Sequence, residues 1–184
     1  MRFERLTSGR HPLFSAAMNL YAESFPSHEQ REPASQARIL SDPEYHFGLI
    51  MDGETFVGLI LFWETDAFIY IEHFCICPEL RNRQYGFRAL RAFCECGKTV
   101  ILEIDPPEDE ISIRRRGFYE RCGFCENPFS HVHPPYHAGN AGHLLVLMSY
   151  PEALTYEEAR GFADFIRERV LRYSEHENPE LPRL

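Results

Sequence analysis

The chain has 184 residues and a mass of 21.5 kDa, the size of one domain. Its 19 lysines and arginines against 28 aspartates and glutamates leave a net charge of −9, which argues against nucleic acid or anionic lipid as a partner. No apolar run is long enough to cross a membrane, and Met1-Arg2-Phe3-Glu4-Arg5 has no apolar segment behind its charges. The expected location is therefore cytoplasmic, where Cys75, Cys77, Cys94, Cys96, Cys122 and Cys125 stay reduced. Their C-x-C, C-x-C and C-x-x-C spacings read as small buried hydrophobes, and no metal is expected.

In chain order, residues 2–7 suit a short strand, and Leu13, Ala16, Ala17, Leu20 and Ser24 recur at helical spacing over 12–24. A second helix is predicted over 28–41, closed by Asp42-Pro43. Two apolar runs, 45–51 and 55–63, flank Asp52-Gly53, a strong hairpin signal. Residues 68–77 are apolar on both faces and predict a central, doubly covered strand. A helix over 84–96, a strand over 99–105 and a helix over 112–122 ended by Gly123 follow. The aromatic, proline- and histidine-rich segment after it becomes strand-like over 144–150. Thr155 and Glu158 form a capping box for a last helix whose apolar face is Ala159, Phe162, Ala163, Ile166, Val170 and Tyr173. The pattern predicts one α/β domain over 1–174 with a mixed sheet, 151–174 being an added C-terminal helix and 175–184 a flexible tail.

The chemistry concentrates in Phe74-Cys75-Ile76-Cys77-Pro78-Glu79-Leu80-Arg81-Asn82-Arg83-Gln84-Tyr85-Gly86-Phe87-Arg88. A buried strand feeds a basic loop that opens a helix. The free N–H groups of the helix start, the helix dipole and Arg81, Arg83 and Arg88 together suit a phosphate group. The plain alternative is a strand–helix corner whose arginines only meet water.

These residues resemble the GNAT superfamily of acetyl-CoA-dependent N-acetyltransferases. The family's strand-end phrase and its Q/R-x-x-G-x-G/A loop are met by Ile76 to Arg81 and by Arg81 to Gly86. A second phrase, near N-x-x-A-x-x-L-Y-x-x-x-G-F, is met from Ser112 to Phe124, and Phe25-Pro26 also fits. Gln84 stands where the loop has its first glycine, Ser112 for the usual asparagine and Arg115 for the usual alanine.

The resemblance implies a GNAT-like mixed sheet with a V-shaped cleft between two central parallel strands, opened by a bulge in the first of them. It implies acetyl-CoA as cosubstrate. The pantetheine arm would pair with Phe74, Cys75 and Ile76, and its phosphates would sit on Arg81, Asn82, Arg83, Gln84, Tyr85, Gly86, Phe87 and Arg88, with Ser112 and Arg115 beside the arm. Tyr119 falls on the family's general-acid position, the alternative being a packed tyrosine. Glu72 is a lone carboxylate in an apolar strand, where burial raises a carboxyl pKa toward that of a useful base. Its alternative is a structural carboxylate, and Glu103 and Asp105 are rival bases.

His131-Val132-His133-Pro134-Pro135-Tyr136-His137 has no compact zinc spacing. His133 and Tyr136, with Phe25 and His28, are instead candidates for an acceptor-binding rim, the alternative being a rigid, solvated hairpin with no role. The resulting expectation is acetyl transfer to a primary amine on a small molecule or peptide, by direct attack in a ternary complex. The alternative is an acyl-CoA-binding or sensing module without turnover. Nucleic acid and membrane are not expected as partners, and assembly as a homodimer is left open.

Overall fold

In the computed structural model, which describes residues 1–175, the Asp52-Gly53 dipeptide turns one long strand onto the next. Tyr45–Asp52 (β2) pairs antiparallel with Thr55–Glu64 (β3), and Gly53 adopts φ +60° at the turn. Arg2–Leu6 (β1) adds antiparallel to β2, and Phe68–Ile76 (β4) adds antiparallel to β3. Thr99–Ile104 (β5) then lies parallel to β4 after a helical crossover. The chain divides into two compact units, and the division falls inside β5. Met1–Pro26 and Ile39–Leu102 form the first, and Ser27–Arg38 with the chain from Glu103 onward forms the second.

In the first unit the strands run in the order β1-β2-β3-β4-β5. Phe14–Ser24 (α1) covers one face: Tyr21 meets Phe47 and His73 at ring distances of 6.3 and 5.1 Å. Tyr85–Cys94 (α3) covers the other, with Phe93 against Phe3 and Phe62 at 5.4 and 4.8 Å. Helices on both faces explain why β2 and β3 are apolar along their middle, as Leu49, Ile50, Leu59, Ile60 and Trp63 are fully buried. β3 approaches β4 so closely at Gly58 that a Cβ there would lie 2.2 Å from the Cys75 carbonyl oxygen. Lys98, just before β5, donates to Glu64 Oε1 at 2.9 Å and to the Thr65 carbonyl at 2.8 Å.

The second unit contains most of Pro33–Ile39 (α2), then Glu110–Arg121 (α4), Cys125–Glu126 (β6), His131–His133 (β7), His143–Tyr150 (β8) and Tyr156–Glu168 (α5). β8 pairs antiparallel with β6 and β7. α5 starts at the Thr155–Glu158 capping box and buries Ala159, Phe162, Ala163 and Ile166. The buried Asn127 amide donates to the Leu147 carbonyl and Ser149 Oγ, while its oxygen accepts the Leu154 N–H, so its polar atoms are satisfied.

Several boundaries differ from the sequence reading, among them the last helix, which ends at Glu168 and passes into a 3-10 turn over Val170–Tyr173; two others have a plain cause. The helix predicted over 28–41 is a 3-10 turn at Ser27–Glu29 followed by α2 from Pro33. Proline lacks an N–H and steers the residue before it away from helix, yet suits a first helical turn. α4 begins two residues ahead of the predicted 112, because Asp109 and Ser112 cap each other. The expected tail over 175–184 lies outside the described residues apart from Glu175. Among the described residues, no helix is long and apolar enough to cross a membrane.

Candidate active site

β4 is where the first unit departs from regular pairing. Ile71 faces Phe62 and His73 faces Leu61, so Glu72 is an extra residue on β4, a β-bulge. The parallel ladder with β5 ends one residue earlier, at Ile71 opposite Leu102. β3 continues to pair with Phe74, Cys75 and Ile76, so the ladder persists along only one edge of that segment. The Glu72 side chain is 1% exposed and its Oε2 lies 3.7 Å from His73 Nδ1. His73 is itself held edge-on between the rings of Tyr21 and Phe25, at 5.1 and 4.5 Å. Burial pushes the Cys75 thiol above its ordinary range, and burial beside Glu79 pushes Cys77 up to about 11.

Beyond β4 a 3-10 turn at Pro78–Leu80 leads into the basic loop. Asn82 and Gln84 both take left-handed backbone, with φ of 61° and 62°. Gln84 is the residue before α3, and no side chain caps that helix. The first intrahelical bond runs from the Arg88 N–H to the Gln84 carbonyl, so the N–H groups of Tyr85, Gly86 and Phe87 have no partner within the helix. α4 and α5, by contrast, both carry complete capping boxes. Alternating left-handed backbone and an uncapped helix start make a positively polarised hollow suited to an anion. Around it, Arg81 Nε donates to the Ile76 carbonyl at 3.1 Å and Arg88 pairs with Asp52 at 3.2 Å. Arg83 is exposed and has no carboxylate partner among the described residues.

The remaining sequence candidates lie in the second unit. Tyr119 on α4 is buried, with Phe118 and Phe124 at ring distances of 5.2 and 5.9 Å. The Ser112 hydroxyl is engaged by Asp109, and Arg115 pairs with Asp105 at 2.6 Å. Glu103 is 7% exposed, hydrogen-bonded to His131 and 3.9 Å from His133 Nε2. His133 and Tyr136 are buried against each other, ring to ring at 5.1 Å, with the Arg31 guanidinium over the Tyr136 ring. The Glu103 side chain is buried because β7 turns His131 and His133 inward and leaves Val132 outside. The only trace in the sequence is the alternation His-Val-His, which reads as polar-out by habit.

The family profile described as Acetyltransferase (GNAT) family matches residues 14–124, more than half of the chain. The chain belongs to the GNAT family. A GNAT-family structure from Bacteroides thetaiotaomicron is 30% identical, covers 93% of this chain and 98% of its own, and gives a TM-score of 0.88. An aminoglycoside 6′-N-acetyltransferase complexed with coenzyme A is 16% identical, covering 81% of this chain and 96% of its own, with a TM-score of 0.56. A mutant spermidine N-acetyltransferase from Vibrio cholerae is 12% identical, covering 81% and 94%, with a TM-score of 0.59. The last two share the fold alone. Comparison with curated proteins gives no match.

Within this GNAT chain the first unit brings Glu72, Phe74, Cys75 and Ile76 together on the bulged end of β4, directly ahead of the loop from Arg81 to Arg88. Phe25 joins them through His73. The bulge falls at Glu72, three positions before Cys75. His28, unlike His133 and Tyr136, is exposed. His73, tucked beside Glu72, is a neighbour that the sequence reading left without a role.

Proposed function

We propose that the chain transfers an acetyl group from acetyl-CoA to a primary amine by direct attack in a ternary complex. The uncapped, left-handed start of α3, set immediately after a bulged strand, is the observation that carries this reading. The N–H groups of Tyr85, Gly86 and Phe87 with Arg83 take the pyrophosphate, and Phe74 to Ile76 pair with the pantetheine amides. Glu72, directly or through one water, accepts the proton that an ammonium must lose before it attacks. A main-chain N–H on the edge of β4 between Glu72 and Cys75 stabilises the oxyanion as the N–C bond forms. The C–S bond then breaks, Tyr119 gives its proton to the departing thiolate, and the second proton shed by the attacking nitrogen returns through water to the tyrosinate. A thiol with a raised pKa is a poor nucleophile, so no acetyl-Cys75 intermediate is included. The net charge of −9 favours a cationic or neutral amine.

The test measures CoA release against a panel of polyamines, aminoglycosides and peptide amines. Glu72→Gln and Tyr119→Phe each lower kcat about 10²–10⁴-fold, with acetyl-CoA affinity nearly unchanged by calorimetry. Arg83→Glu raises the KM for acetyl-CoA and leaves that for the amine little changed. Acetyl-CoA binding with no turnover on any amine would instead support an acyl-CoA-binding module.

A further inference from the structure

A separate cluster in the second unit is built from residues that the proposed mechanism does not use. His28 and Glu29 sit in the 3-10 turn Ser27–Glu29, His143 opens β8, and Asp105 follows β5. The ligand-capable atoms of His28, Glu29 and His143 all lie within 4.8 Å of one another. His28 Nε2 is 3.7 Å from Glu29 Oε1, and His143 Nε2 is 3.6 Å from Asp105 Oδ1. The two imidazole rings are 6.0 Å apart and inclined at 60°. A tetrahedral zinc ion with bonds of about 2.0–2.1 Å needs ligand atoms roughly 3.3 Å apart. The His28, Glu29 and His143 atoms must close from within 4.8 Å to that spacing, and Asp105 Oδ1 would join from its place beside His143 Nε2.

We infer that His28, Glu29 and His143, with Asp105 as fourth ligand, bind a zinc-type divalent cation. Two imidazoles with carboxylates select zinc and its transition-metal neighbours over calcium or magnesium, which take oxygen ligands. The ligands are also supported from behind. His137 Nε2 donates to the carbonyls of Ser27 and Gln30, at 3.0 and 2.8 Å, and so braces the turn that carries His28 and Glu29. Arg115 holds Asp105 Oδ2 at 2.6 Å and leaves Oδ1 toward His143. His143 is fixed by its register with His133 in the β7–β8 ladder. Such outer contacts orient ligands and set affinity. Glu32, His137 and Glu175 also converge, but they offer one nitrogen only, and its ring is committed to the Ser27–Gln30 turn.

The bound ion fastens the segment 27–38 to the start of β8, a structural task independent of acetyl transfer, and His28 becomes a ligand rather than an acceptor contact. The side chains are 37–54% exposed, so the ion enters from solvent and substitutions there leave folding intact. The experiment titrates zinc chloride into the full chain, freed of any affinity tag, by calorimetry, with cobalt(II) as a spectroscopic substitute. One equivalent binds, zinc raises the melting temperature, and EDTA reverses the rise. His28→Ala and His143→Ala each weaken binding more than about 100-fold and abolish the melting shift, and Asp105→Asn weakens it about tenfold. The cobalt complex shows visible bands without the near-ultraviolet thiolate absorption that binding to any of the six cysteines would produce. The proposal is overturned by absent binding, by unchanged affinity in both histidine variants, or by a thiolate band. Each of those outcomes leaves the acetyl-transfer assay unaffected.

Discussion

Left-handed backbone at Gln84 costs about 1–2 kcal/mol that glycine would avoid, against about 0.5–1 kcal/mol of extra entropy that glycine loses on folding. Gln84→Gly is therefore expected to stabilise the free protein by about 0.5–1 kcal/mol, read as a melting temperature higher by roughly 2–3 °C. Because the same change bares the start of α3, CoA is expected to bind more tightly in calorimetry. A lower melting temperature would remove the strain explanation. Thiol chemistry separates the cysteines as clearly. With a pKa of about 11, only about one Cys77 in a thousand is ionised at pH 8. Cys96 is exposed, so mass mapping after brief maleimide treatment should find it labelled first, with Cys75 and Cys77 unmodified.

Among the elements, β3 and β4 are held at a spacing that only glycine permits at position 58. Gly58→Ala drives a methyl group into the Cys75 carbonyl, and overpacking of this kind costs about 3 kcal/mol or more. Urea unfolding measures it, and a loss within 1 kcal/mol would mean the strands can part. The β2–β3 hairpin was legible because Asp52-Gly53 names its own turn, and the loop from Arg81 to Gly86 because strand, basic residues and helix follow in order. The bulge at Glu72 was not, since one extra residue in a doubly buried strand disturbs no visible alternation. Nor was the early start of α4: its box closes with Ser112, where the usual signal is Glu or Gln. The burial of Glu103, His133 and Tyr136 depends on which face β7 turns inward, and a three-residue strand of two histidines and a valine does not announce it.

For the whole molecule, His46 gives acid sensitivity near neutrality one identifiable origin. Burial holds His46 below its ordinary pKa, with Arg5 adding to the effect and Glu64 opposing it, and its ring stacks on Phe62. The unfolded chain takes up that proton first, near about pH 6.5. Stability is therefore full above that value and falls as pH drops through it toward the folded pKa. His46→Gln should flatten the dependence of urea midpoints between pH 7.5 and 5.5, and a slope equal to wild type would exclude this histidine. A different consequence follows from the contacts of Lys98. It is the single lysine of the sequence, set against 18 arginines, and its ammonium is spent on Glu64 and the Thr65 carbonyl. A catalyst that handles an activated acyl donor is exposed to its own reagent, and guanidinium groups do not compete for acetyl. The protein thus presents a surface almost blank to lysine acetylation, on which any Nε-acetyl mark found by mass spectrometry can be sought at one side chain.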